Sequence, residues 1–308
     1  DKPIVEPNGT VRGYFEAGRE YRADDDGVAW RHALVDGHLP AIAYAFCERS
    51  TRAGREEIAF GRPRSRGGLA VWVRLRTGAS DASPDEAGAR TYLRCRKEPE
   101  ETTAAEFHAA LLALYEDQRA LLARGARVEL PDAELAGGAA AALLRGFLTF
   151  VGLHPKYGVL EYGRTRHDTF PPALLYQAAA CLEWGLLEEG KAFLGHYLAT
   201  FVRADGGFAY YGPAISEYGQ MLTLAARCLQ LTGDTAWLVA HRPAIRAIAD
   251  RILTLRAKSK VAYPPDSPVH GLIPGNPEAD YTGMELPTEA YYSGDAWACR
   301  GLKEVAAV

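Results

Sequence analysis

The sequence predicts an α+β chain: an antiparallel β-sandwich-like region over residues 1–100, a linker helix over 101–127, and side-by-side helical hairpins over 128–308. Three observations carry this. Segments before Lys97 alternate apolar and polar residues, as half-buried strands do. A capped amphipathic run follows at once. Beyond it, every apolar segment repeats at helical spacing, and the links between segments alternate short and long.

The first part takes its strands from "GLAVWVRLRTG" (Gly68 to Gly78), "RTYLRCR" (Arg90 to Arg96) and "AIAYAFCER" (Ala41 to Arg49). Stretches between them are rich in Gly, Ser, Asp and Arg, as turns are. "ADDDG" (Ala23 to Gly27) lacks the ligand spacing of a calcium loop and reads as a plain turn.

In "EETTAAEFHAALLALYEDQRALLARG", Thr102 or Thr103 is the expected N-cap, with Glu106 closing a capping box on Thr103. Phe107, Leu111, Leu114, Tyr115, Leu121 and Leu122 recur at helical spacing until Gly125 ends the run. "VELPDAEL" is a short connector with Asp132 as the next cap. Helices are then expected over Ala133–Val151, Pro172–Trp184, Glu188–Arg203, Ile215–Thr232, Pro243–Arg256 and Thr288–Ala306.

The links around these helices matter for function. "GLLEE" and "GDTAWLVAHR" are short. "HPKYGVLEYGRTRHDTFP", "ADGGFAYYGPA" and "KSKVAYPPDSPVHGLIPGNPEADYTGMELP" are long, and long loops are uncommon in compact domains unless they work. Hairpins joined this way form a ring of alternating outer and inner helices, with all the long loops on one face. Each long loop brings carboxylates and aromatics to the start of an inner helix. These are Asp168 and Phe170, then Tyr210, Tyr211 and Glu217, then Glu278, Asp280, Tyr281 and Glu285.

Composition narrows the partners. The formal net charge is −4 and the pI about 6.1, so there is no basic footprint for nucleic acid. Arg62, Arg64 and Arg66 make a small local patch at most. The five cysteines are widely spaced and form no CxxC pair, which argues against a disulfide framework and a zinc site. No apolar run is long enough to span a membrane, and no secretory signal opens the chain, which begins at Asp1 rather than Met. Neither a P-loop, nor GxGxxG after a strand, nor GxSxG occurs. No metal and no cofactor is implied.

Rings beside carboxylates suit sugars, whose C–H faces pack on aromatics while their hydroxyls take directed hydrogen bonds. Cleaving a glycosidic bond takes two carboxyl groups, one protonated and one ionised. A lone loop carboxylate is ordinarily solvated or a helix cap, and Glu217 also fits a first-turn residue favoured by the helix dipole. Three Tyr-bearing loops in register shift that balance towards a carbohydrate site.

From Val128 to Val308 this order of pieces resembles the six-hairpin (α/α)6 toroid glycosidases, which include glucoamylases, trehalases, α-rhamnosidases and inverting sugar phosphorylases. The resemblance implies a partial toroid behind an N-terminal β-domain. "RTRHDTF" stands where glucoamylase-like members grip the hydroxyls of the terminal sugar, so Arg166 and Asp168 inherit that role, although His167 separates them. "GNPEADY" stands where the general acid lies, which makes Glu278 the first choice for proton donor and Asp280 the second. Phe170, Tyr210, Tyr211, Glu217 and Tyr281 are the expected sugar-contacting set. "GPAISEYG" and "YYSGDAWACRGL" have the texture of the family without being signatures.

The full ring needs about twice the helices this part supplies, and the family's catalytic base comes from its last hairpin. The resemblance therefore implies further hairpins C-terminal to Val308. The expected activity is inverting hydrolysis of oligo- or polysaccharide bonds. An inverting sugar phosphorylase, a lyase or uronyl hydrolase on a similar toroid, and a non-catalytic carbohydrate-binding protein are the competing readings.

Overall fold

The structure is a computed structural model. It describes residues 4–5, 11–12, 27–34, 41–48, 53–63, 69–79, 89–95, 99–155, 169–210, 215–275 and 290–308. The described residues up to Arg145 form one compact unit and those from Gly146 onward a second.

In the first unit, β1 (Ile4–Val5) pairs only with β2 (Val11–Arg12). A six-stranded antiparallel sheet follows: β3 (Gly27–Leu34), β4 (Ala41–Glu48), β5 (Ala53–Pro63), β6 (Leu69–Ala79), β7 (Ala89–Cys95) and β8 (Pro99–Glu101), each beside its sequence neighbour. Three of these are the predicted strands with ends shifted by a residue. β3 and β5 were not legible, because runs such as "GREEIAFGR" hide any alternation behind charge.

Strands β3 to β8 thus make one meander, and among the described residues no second large sheet packs on it. A helix covers this sheet instead. Register sets Phe60 opposite Trp72 and Trp72 opposite Arg94, in one row across β5, β6 and β7. Helix α1 (Ala104–Arg124) buries Phe107, Ala110 and Leu114 beside Phe60, with the Phe107 ring 5.4 Å from Phe60 and 5.3 Å from Tyr92. The apolar stripe that predicted α1 therefore closes the sheet's face.

The capping box is present at α1. Thr103 Oγ1 accepts from the Glu106 N–H at 3.2 Å, and the Thr103 N–H donates to Glu106 Oε2 at 3.0 Å. Hydrogen bonds from Thr102 and Thr103 hold the Glu106 carboxyl down at about 2. Asp132 caps the next helix through the Leu135 N–H at 3.0 Å. That helix, α2 (Ala133–Phe147), stops short of the predicted Val151, and β9 (Phe150–Val151) and β10 (His154–Pro155) form a small hairpin after it.

The second unit holds α3 (Pro171–Glu183), α4 (Leu187–Thr200), α5 (Ile215–Thr232), α6 (Thr235–Ala262) and α7 (Tyr292–Ala306). Helix α6 corrects the sequence reading, in which "GDTAWLVAHR" was a link and Pro243 a start. Asp234 caps it through the Trp237 N–H at 2.9 Å, and the helix runs through Pro243. Proline removes the bond to the Val239 carbonyl, but both residues face solvent, where water replaces it.

Packing gives the helices their order. Leu182 near the end of α3 abuts Gly190 near the start of α4, so those two are antiparallel. Arg227 of α5 grips Glu183 at the C-terminal end of α3, and Gly294 near the start of α7 abuts Ile215 and Ser216 at the start of α5. Helices α3, α5 and α7 therefore run parallel as one layer. Lys191 of α4 bonds Asp234 at the start of α6 at 3.0 Å, and Gly195 of α4 lies against Trp237 and His241, which makes α4 and α6 a second parallel layer. No helix among the described residues is long and apolar enough to cross a membrane.

Candidate functional site

Because α3, α5 and α7 are parallel, their N-terminal ends lie at the same end of the layer. The chain reaches them through its longer links, while Trp184–Leu186 and Gly233–Asp234 turn the chain at the opposite end. Of the predicted site residues, Phe170, Tyr210 and Glu217 fall within the described residues. Arg166, Asp168, Tyr211, Glu278, Asp280 and Tyr281 lie outside them, as do His167 and Glu285.

Two of the long links meet at this end. The rings of Phe170 and Tyr210 are 5.4 Å apart, and the Thr169 hydroxyl donates to the Ala209 carbonyl at 2.7 Å. Phe170 occupies the N-cap position of α3, with Pro171 at the first helical position, where its missing N–H costs nothing.

The link after α4 is a built turn. Val202 and Phe208 form a bridge, Arg203 N–H donates to the Gly207 carbonyl at 2.7 Å, and Gly206 takes φ +77° at the tip. A Cβ on Gly206 would overlap the Ala247 carbonyl, so the tip can rest on α6 only as glycine. Arg251 of α6 fixes the same tip through Asp205 Oδ2 at 2.7 Å. The Gly207 N–H, with Arg251 beside it, holds the Asp205 carboxyl below its ordinary value.

Phe170 is itself buried, at 8% exposure, so of the two rings Tyr210 is the one left partly open. Glu217 is 2% exposed, so its carboxylate sits beneath the surface rather than lining it. Tyr197 and Tyr218 are buried within reach of its charge, and the Phe208 ring joins them, 5.6 Å from Tyr197 and 4.7 Å from Tyr218. Burial, reinforced by Glu217, raises both phenols; Arg251 at the Tyr218 oxygen only partly offsets this there. These tyrosines therefore stay protonated: Tyr197 donates to the Thr169 carbonyl, and Tyr218 accepts from Arg251 Nε.

At the start of α7, Asp295 accepts from the Ile273 N–H at 3.0 Å, and burial raises its carboxyl above the usual value. This bond, with the bridge between Pro274 and Ala290, draws together the two described ends of the connection that runs from α6 to α7.

Tyr197, Tyr218, Arg251 and Asp295 were not singled out from the sequence as site residues. Tyr197 lay within an apolar helical stripe, and Arg251 gave no signal beyond an exposed helical position. Asp295 stood inside the quoted "YYSGDAWACRGL", where the first-turn carboxylate was the available signal.

A groove of about 640 Å³ runs along the flanks of α3, α5 and α7, lined by Tyr176, Gln220, Arg227, Trp297 and Arg300 among others. Phe170, Tyr210 and Glu217 do not line it, so groove and loop end are separate places. Among the described residues, no three His, Cys, Asp or Glu side chains are grouped to hold a metal ion.

No protein-family profile matches the chain, and no curated protein matches it in sequence. Among solved structures, the crystal structure of a family 76 glycoside hydrolase from a bovine Bacteroides thetaiotaomicron strain is similar to 92% of this chain over 78% of its own, at 10% identity and a TM-score of 0.30. The chain thus has a glycoside hydrolase among its distant structural neighbours, a likeness that assigns it to no family.

Proposed function

We propose that this chain is part of a glycoside hydrolase that binds a carbohydrate at the N-terminal ends of α3, α5 and α7 and cleaves a glycosidic bond with inversion. The reading rests chiefly on one observation: links that bear candidate residues meet there, with Phe170 and Tyr210 in ring contact. In this reading Tyr210, Tyr211 and Tyr281 pack on sugar C–H faces, the buried Phe170 ring backs Tyr210, and Arg166 with Asp168 grips hydroxyls. Glu217, buried in the first turn of α5, acts on the site only through its charge beside Tyr197 and Tyr218.

Glu278 is the proposed proton donor, with Asp280 the alternative two residues on. The acid protonates the leaving oxygen while a carboxylate on the other side of the sugar activates water. General acid help is worth roughly 10²–10⁴-fold. Glu278→Gln should lower turnover by about that factor on a substrate with a poor leaving group, and far less on a nitrophenyl glycoside. Loss with Asp280→Asn instead moves the assignment to Asp280. No loss with either removes the enzyme reading.

A further inference from the structure

Thr169 has φ 64°, in the left-handed region where a β-branched side chain crowds its own backbone. Such a residue persists only when its surroundings hold it. Three hydrogen bonds do so, each to a different part of the unit. The Thr169 N–H donates to the Pro155 carbonyl at 3.2 Å, its hydroxyl to the Ala209 carbonyl at 2.7 Å, and the Tyr197 hydroxyl to its carbonyl at 3.0 Å. Thr169 is 6% exposed and Tyr197 is 0% exposed.

Glycine would adopt this φ without crowding. What threonine adds is the hydroxyl, and that hydroxyl joins the link before α3 to the link before α5. The next residue is Phe170, whose ring meets Tyr210, the residue after Ala209.

We propose that Thr169 is a positioning residue for the carbohydrate site: its held left-handed backbone and its bond to Ala209 set the buried Phe170 ring behind Tyr210, which is the ring left partly open to pack on a sugar. This rests on the glycosidase reading above. Thr169 touches no reacting atom; it acts through the two rings.

The test uses Thr169→Gly, which keeps the φ and loses the hydroxyl, and Thr169→Ser, which keeps the hydroxyl. Both are assayed on whichever of a panel of nitrophenyl glycosides of neutral sugars the protein turns over. In Thr169→Gly, KM should rise about tenfold with kcat changed less, since a displaced binding surface costs binding first. Thr169→Ser should keep the original KM. An unchanged KM in Thr169→Gly overturns the proposal. So does an equal loss in Thr169→Ser, which would assign the effect to volume rather than to the hydroxyl.

If the panel is not turned over at all, the glycosidase reading fails by itself. Positioning is then read by hydrogen exchange over peptides spanning Thr169–Phe170 and Ala209–Tyr210. Exchange about tenfold faster in Thr169→Gly but not in Thr169→Ser supports the tie between the two links. Unchanged exchange in Thr169→Gly overturns it.

Discussion

Arg251 Nε donates to the phenol oxygen of Tyr218 at 3.1 Å, while the guanidinium carbon lies 5.4 Å from the centre of the same ring. One side chain thus holds α6 to the first turns of α5, and its other arm takes Asp205 at the tip of the turn before α5. The turn carrying Tyr210 is thereby tied to two helices at once. Arg251→Met removes a charged hydrogen bond to a buried phenol, and should cost about 1–2 kcal/mol in urea unfolding. Asp205→Asn should cost less, because that carboxylate is 65% exposed and screened. The folded Asp205 carboxyl is held low, so its contribution is present above the unfolded value and is lost as pH falls through the folded one. Equal loss in both variants would place the energy in the turn rather than at Tyr218.

The approach of α7 to α5 depends on glycine. A Cβ on Gly219 would overlap the Trp297 carbonyl, and one on Gly301 would overlap that of Gly219, so the two backbones touch there without side chains between them. Gly219→Ala and Gly301→Ala should each destabilise by about 1–3 kcal/mol, and the double variant by less than their sum, since one displacement relieves both clashes. Gly138→Ala is the control: it is exposed on α2 with nothing within contact distance, and should add about 0.5–1 kcal/mol of helix stability. Denaturant midpoints for the four variants and the parent decide it.

How far the sequence could be read follows from where the signals reside. Helix α5 matches its expected bounds, Ile215–Thr232, because a Gly/Pro break precedes it and Gly233 follows with φ +65°. The capping box at Thr103 and the cap at Asp132 are local chemistry and were legible. Pro243 misled because proline's effect depends on which way it faces, and that is settled by packing. A sandwich-like region was expected because strand alternation says that a face is buried but not by what; among the described residues, α1 packs on it. At the candidate site, Phe170 and Tyr210 were legible as aromatics at loop ends. Thr169 was not, because a left-handed φ held by a tyrosine 28 residues away leaves no mark in composition or spacing.

Asp295 supplies a dependence on pH of the opposite sign to that of Asp205. Burial raises its carboxyl, and the hydrogen bond from the Ile273 N–H only partly offsets that burial. The folded state therefore keeps a proton that the unfolded chain releases. Stability from this group is fully present below the unfolded aspartate value, about 3.9, and is lost as pH rises through the raised folded value. Asp295→Asn keeps a carbonyl oxygen to accept from Ile273 and has no charge to bury. It should flatten the fall in stability across that interval and unfold at higher denaturant than the parent at neutral pH. Asp295→Ala loses the acceptor and should leave the Ile273 N–H unmatched, so it should be less stable than Asp295→Asn at every pH. Urea midpoints measured from pH 4 to pH 8 separate the cases. A parent and Asp295→Asn with parallel profiles would mean that the carboxylate is solvated in the folded protein and that its hold on the Ile273 N–H is ordinary surface chemistry.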